Sequence, residues 1–187
     1  MEAHNHPTVA GSGRPDRLPA ATIVPATEAD LPGIADLAGV IWCACYPGII
    51  SLAQIEFMLA SMYSPATLRD ELRSQGIHFY RLLAGGQLVG FAALGPTDTA
   101  GVMKLHKLYV LPAFHGCGLG SLLLRHVEAE ARRLGARRLI LSVNKRNARA
   151  IAAYQRNGFA IAEAVVTDIS GGFVMDDFIM AKTIAPV

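Results

Sequence analysis

One stretch of this chain joins dense glycine to the start of a helix. It reads Leu108-Tyr109-Val110-Leu111-Pro112-Ala113-Phe114-His115-Gly116-Cys117-Gly118-Leu119-Gly120-Ser121. A β-patterned run leads into a glycine turn, and a strongly amphipathic helix follows. Such a turn can hold an anion, because glycines let the backbone come close to a ligand, successive amides converge, and the positive end of the helix dipole stands behind them. A pyrophosphate suits it in charge and size. Gly116, Gly118 and Gly120 give GxGxG rather than the GxGxxG of dinucleotide folds, and no Gly-Lys-Ser/Thr completes a P-loop. Taken alone, the loop is also explained by a turn that simply needs glycine.

A second constellation lies downstream, from Asn144 to Phe159. Asn147, Ala150, Ile151 and Tyr154 fall at i, i+3, i+4 and i+7, so an amide and a phenol share one helical stripe. A tyrosine on an alanine-rich helix is equally what a core aromatic looks like. The two constellations together point to chemistry more than either does alone.

The pattern of elements must bring these stretches together. Residues 1–20 lack periodicity and are rich in Pro, Gly and His, which predicts a flexible N-terminal tail ahead of a single domain over 21–187. Thr22 to Pro25 predicts a strand, and Thr27-Glu28-Ala29-Asp30 a capping box opening a helix that Tyr46-Pro47-Gly48 ends. Ser51 caps a second helix, and Pro65 begins a third. His78–Ala84, Gly85-Gly86 and Leu88–Leu94 form a hairpin signature. Met103 to Leu111 is a strand with Leu105, Tyr109 and Leu111 in alternation, stopped by Pro112. The helix after the glycine turn is closed by Gly135. Leu139–Val143, a helix over Ala148–Arg156, and strands Phe159–Val166 and Phe173–Thr183 complete the chain.

Composition narrows the function classes. The chain has 187 residues, with 52% hydrophobic and 17% charged, which predicts a globular body rather than disorder. Its apolar runs are broken before the roughly 20 residues of a membrane span, and its N-terminus lacks the apolar segment of a secretory signal. A cytoplasmic location without membrane partners is the expectation. Cys43, Cys45 and Cys117 have neither zinc nor CxxC spacing and read as reduced thiols, with no metal site. The net charge of +2 conceals asymmetry: His115 to Arg156 carries +7 and the remainder −5. One part favours anions, although a solvated Arg-rich surface also fits. No nucleic-acid motif or aromatic interleaving accompanies it, so nucleic acid is not the expected partner.

The turn at Gly118-x-Gly120 after Leu-Tyr-Val-x-Pro, then Asn-x-x-Ala-x-x-x-Tyr at Asn147 to Tyr154 and Gly158-Phe159, resembles the GNAT superfamily of acyl-CoA-dependent N-acetyltransferases. The likeness covers about residues 22–184. It implies an α/β (α+β) fold with a central mixed, largely antiparallel sheet flanked by helices, in which a splayed strand pair admits the cofactor. It implies acetyl-CoA as co-substrate and an amine as acceptor, and homodimers are frequent in the family. Leu108, Tyr109 and Val110 would offer backbone hydrogen bonds to pantetheine, their amides mattering more than their side chains. The turn His115, Gly116, Cys117, Gly118, Leu119, Gly120 and Ser121 would hold the pyrophosphate. His115 stands where the family usually has Gln or Arg. Asn147 would bond the pantetheine, Tyr154 would stand near the sulfur, and Arg side chains near Lys145, Arg146 and Arg149 would meet the 3′-phosphate. Trp42, Tyr46 and Tyr63, with Ile50 and Met58, would line the acceptor.

The reaction asks for these parts on its own account. A neutral amine attacks a thioester, charge builds on oxygen, and the departing thiolate needs a donor, for which Tyr154 is the candidate acid. Related enzymes often carry Glu in the long strand, where Met103, Lys104, Leu105, His106 and Lys107 provide none. His106 is therefore the candidate base, and a merely packed histidine is the alternative. Of Asp176 and Asp177, one is expected to face solvent, since neighbours in a strand point to opposite faces. The acceptor read here is a small polyamine-like amine. A protein N-terminus or lysine is the second choice, and a non-catalytic acyl-CoA-binding module the third.

Overall fold

The computed structural model describes residues 20–185. The tail expected over residues 1–20 lies outside them, Ala20 apart. In chain order the elements are β1 (Ala21–Pro25), α1 (Leu31–Cys45), α2 (Leu52–Met62), α3 (Pro65–Ser74), β2 (His78–Ala84), β3 (Gln87–Pro96), β4 (Val102–Val110), α4 (Leu119–Arg133), β5 (Arg138–Asn144), α5 (Ala148–Arg156), β6 (Ala160–Asp168) and β7 (Val174–Thr183). The order matches the sequence reading, with ends shifted by one to two residues. Local chemistry explains most of it. Asp30 accepts hydrogen bonds of 2.8 Å from both the amide and the hydroxyl of Thr27, closing a short 3-10 turn ahead of α1. Ser51 and Ser64 accept from Gln54 N–H and Thr67 N–H, each at 3.1 Å, and so cap α2 and α3.

The strands form one sheet in the order β1-β2-β3-β4-β5-β7-β6. Every neighbouring pair is antiparallel except β4 and β5, so the sheet is mixed and largely antiparallel. Both faces are covered. Leu119, Leu123, Val127 and Ala131 of α4 bury against Leu105, Leu139 and Leu141 on one side. Leu31, Ile34 and Trp42 of α1, with Ile55, Met58 and Leu68 of α2 and α3, bury against Phe79, Phe91 and Ala93 on the other. Central β3 is buried on both faces, which its near-continuous apolar run anticipates.

Two departures from regular pairing create the site. The parallel pairing of β4 with β5 ends at Leu105 opposite Leu141, although β4 runs on to Val110 and β5 to Asn144. Beyond that point the strands part and open a slot. On its other edge β4 carries a bulge: Ala93 pairs with Lys107 and Leu94 with Leu105, leaving His106 as the extra residue. The bulge reverses the facing of everything after it. Met103 and Leu105 point toward α4, as do Leu108 and Val110, whereas Lys107 and Tyr109 point toward α1–α3. The simple alternation of Leu105 with Tyr109 expected from the sequence is thus corrected, since one inserted residue inverts a period of two.

The close approach of β3 to the parting strand requires a glycine. A Cβ on Gly90 would lie 2.6 Å from the Tyr109 carbonyl oxygen, a backbone atom that cannot swing aside. Gly90→Ala is therefore expected to destabilise the protein by about 1–3 kcal/mol, measured by urea unfolding against wild type. An unchanged midpoint would show that β3 and β4 yield freely here.

Candidate active site

The slot opens into a cleft of about 1330 Å³ that passes from the glycine turn, between β4 and β5, to the ends of α1 and α2. Its two ends differ in character. At one end Gly118 adopts φ +79° and serves as the residue before α4, so that Leu119, Gly120 and Ser121 occupy the first helical turn, where amides have no intrahelical acceptor. A Cβ added at Gly118 or Gly120 would meet no atom within 4 Å, which leaves the approach to those amides open. The geometry is that of an anion cradle on the axis of a 15-residue helix.

The side chains around the cradle are partly spoken for. His115 places Nε2 2.6 Å from the Val110 carbonyl, so that nitrogen is the donor. Burial, opposed by this bond, holds the imidazole below its usual range, and Arg149 pushes the same way as burial. A neutral His115 braces the end of β4 rather than supplying positive charge. Ser121 accepts from the Asn157 side-chain amide at 3.1 Å. The Cys117 thiol lies 3.8 Å from the His115 carbonyl, and the side chain packs against the α4 core. Asn147 is the N-cap of α5: its amide oxygen accepts from Ala150 N–H at 3.1 Å, leaving the amide nitrogen as the group available to a ligand. Lys145 is paired with Asp176, and Arg146 donates to the Gly48 carbonyl at 2.9 Å. Arg149 is exposed on the cleft rim, with no ion-pair partner among the described residues.

Tyr154 projects from α5 against Phe159, ring centroids 5.9 Å apart. Burial raises its phenol to about 12, which keeps it protonated throughout the physiological range. Although α5 lies on the α4 side of the sheet, this phenol acts electrostatically on Tyr46 and Tyr109 of the opposite side. The parted strands connect the two faces.

The far end is aromatic. Trp42 stacks on Tyr46 with centroids 4.2 Å apart and meets Tyr63 edge-on at 5.5 Å. Tyr63 and Tyr109 share a hydroxyl hydrogen bond of 3.0 Å. Tyr109 therefore contributes its side chain to this wall, not only its amide as expected. Ile50 and Met58 line the same end. Beneath the rings, buried Lys107 donates to both carboxylate oxygens of Glu71 at 2.6 Å, with Nζ 5.3 Å from the Tyr63 centroid.

His106 does not suit the role of base expected for it. Its Nε2 is buried without a hydrogen-bond partner and lies against Gly95, where an added Cβ would come within 3.1 Å. Burial first, then Lys104 and Lys107, lowers the imidazole to about 4, so it is neutral and weakly basic at neutral pH. Sequence reasoning also missed Glu71, Lys107 and the placement of Asp177. Only the bulge brings the first two together, whereas the alternation of Asp176 and Asp177 was readable. Asp176 is exposed and Asp177 buried, as that alternation requires. Among the described residues no cluster of His, Cys, Asp or Glu could hold a metal ion, and no helix is long and apolar enough to cross a membrane.

Comparison with known proteins gives a consistent result. The model of the acetyltransferase (GNAT) family matches residues 42–159. An uncharacterized N-acetyltransferase of Mycobacterium tuberculosis is 38% identical over 97 residues, which is 52% of this chain and 61% of that protein. The chain thus matches about three-fifths of that relative's length. The spermidine N(1)-acetyltransferase of Thermoplasma acidophilum is 31% identical over 157 residues, 82% of this chain and 91% of that protein. The crystal structure of the PaiA N-acetyltransferase from Thermoplasma acidophilum in complex with coenzyme A superposes with a TM-score of 0.75 and 27% identity, covering 88% of this chain and 99% of that one.

The cradle itself yields a test of backbone conformation without steric clash. Gly118→Ala places a side chain in open space but in the left-handed region, so it should cost about 1–2 kcal/mol from conformation alone. Urea unfolding would read this, and a neutral result would mean the turn changes shape.

Proposed function

The chain belongs to the GNAT acetyltransferase family, and from that premise we propose that it transfers an acetyl group from acetyl-CoA to the primary amine of a small molecule by direct attack in a ternary complex. The observation that carries the reading is the parting of β4 from β5 after Leu105, with the anion cradle at one mouth and the aromatic wall at the other. Acetyl-CoA fits this shape. Its pyrophosphate suits the amides of Leu119, Gly120 and Ser121, and Arg149, exposed on the rim with no ion-pair partner among the described residues, is a cation suited to a phosphate. Its pantetheine suits the β5-facing peptide edge of Leu108, Tyr109 and Val110, which has lost its strand partner, and the Asn147 amide nitrogen.

The acceptor's neutral nitrogen attacks the thioester carbon, a C–N bond forms, the C–S bond breaks with its electron pair leaving on sulfur, the nitrogen gives up one proton to water, and the thiolate takes one up from solvent. The products are an N-acetyl amine and coenzyme A. Peptide N–H groups along the slot serve the developing oxyanion. Tyr154 serves the sulfur. Its phenol, near 12, is a weaker acid than an ordinary thiol of about 8.5. Its contribution is therefore a strong hydrogen bond to the developing thiolate rather than net delivery of a proton. The likeness to a spermidine acetyltransferase over most of both chains supports a small amine as acceptor.

Thiol release from acetyl-CoA, measured against a panel of polyamines, amino acids, aminoglycosides and short peptides, tests the reading. Turnover with a small amine supports it, and absence of coenzyme A binding by calorimetry overturns it. Tyr154→Phe should lower kcat by about 10²–10³-fold while leaving coenzyme A affinity nearly unchanged. Loss of affinity without loss of kcat would remove Tyr154 from the chemistry. Arg149→Ala should weaken coenzyme A binding about fivefold at low salt, with a smaller effect as ionic strength rises. A salt-independent effect would assign Arg149 to packing instead.

A further inference from the structure

On the acetyltransferase reading just given, we propose that Asp177 is the counter-ion that selects a positively charged acceptor. The argument begins with its position. Asp177 pairs in register with Asn144, the last residue of β5, one strand beyond the slot. Its neighbour Phe178 and also Met180 pack on the α4 side of the sheet, so Asp177 turns to the opposite side, where it lines the cleft. It is 4% exposed, and its Oδ1 is buried with no hydrogen-bond partner among the described residues.

The cations that could satisfy it are mostly engaged elsewhere. Lys145 is closed on Asp176. Lys107 is closed on Glu71, which also removes Glu71 as a rival anion for the acceptor. Lys104, on β4, is the remaining positive side chain that acts on Asp177, and it does so without a direct ion pair. Burial, with Asp176 beside it, raises the carboxyl above its usual range, against the pull of Lys104 and Lys145. An unmatched buried carboxylate is costly, and an incoming ammonium supplies the missing charge.

The rest of the pocket suits the same ligand. Trp42, Tyr46, Tyr63 and Tyr109 line the pocket with aromatic rings and phenol oxygens, the Lys107 ammonium over the Tyr63 ring is balanced by Glu71, and Asp177 acts electrostatically on the Tyr46 phenol. Aromatic faces attract cations, most strongly when both are desolvated. A carboxylate set against an aromatic wall is a site for an ammonium group rather than for a neutral or anionic acceptor.

The test separates charge from shape. Asp177→Asn keeps the volume and removes the charge. With spermidine as amine probe, it should raise KM for the amine about 10- to 100-fold while the Kd for coenzyme A shifts less than about twofold, and Asp177→Glu should recover part of the loss. An unchanged spermidine KM in a variant that still binds coenzyme A overturns the proposal. A second measurement needs neither turnover nor a variant. Wild-type protein saturated with coenzyme A should bind choline at least about tenfold more tightly than 3,3-dimethylbutan-1-ol, its uncharged isostere, and equal binding overturns the proposal. If no amine is acetylated, the enzymatic reading falls, and the isostere contrast still decides the role of Asp177.

Discussion

The site depends on one failure of pairing. β4 and β5 are the only parallel neighbours in the described sheet, and their ladder stops at Leu105 and Leu141 while both strands continue. Backbone N–H and C=O groups are obligatory hydrogen-bonding groups, so an abandoned strand edge must be satisfied by something else. Here the edge faces a cleft. An extended ligand carrying its own amides can take the place of the missing strand, as in peptide recognition by sheet edges. Both faces of the sheet are covered by helices, so the opening is the passage through which Tyr154, on one side, acts on Tyr46 and Tyr109 on the other.

The bulge at His106 divides the labour along β4. Before it, Met103 and Leu105 serve the α4 core; after it, Leu108 and Val110 do so, and Lys107 and Tyr109 turn to the α1–α3 side. Were the same residues paired in regular alternation with no bulge, Leu108 and Val110 would leave that core and Lys107 would enter it. A lysine buried there would lose Glu71, whose carboxylate on α3 accepts both of its short hydrogen bonds. The bulge therefore sets the polarity of the pocket as well as its shape. It also turns His106 against Gly95, where burial and two neighbouring lysines keep the ring neutral.

Charge is graded along the cleft. Its outer end combines the first-turn amides of α4 with Arg149, and its inner end combines stacked aromatics with Asp177. Lys145 and Arg146, which the charge count along the chain groups with the anion-binding end, are tied to Asp176 and the Gly48 carbonyl. The clustered positive charge in the sequence is thus only partly available to a phosphate. Short-range partners, rather than net charge, decide which cations can bind a ligand.

Much of this was legible in the sequence, because it is written in local physics. Helix caps, the Gly85-Gly86 hairpin, the amphipathic α4 and the glycine turn each depend on residues within a few positions of one another. The order of elements, the place of the turn before α4 and the sharing of one helix by Asn147 and Tyr154 follow from them. What the sequence could not determine depends on contacts between distant residues. The bulge is a mismatch between two strands, so the facing of Lys107 and Tyr109 is fixed only once β3 and β4 are in register. His115 is drawn into bracing Val110 by backbone geometry that residue spacing does not reveal, and Asp177 into burial beside the slot by neighbours far away in the chain. Residue types and spacing determined which chemical groups this protein owns; the tertiary structure decided which of them remain free to act, because burial and hydrogen-bond partners are properties of the packed sheet rather than of any one segment.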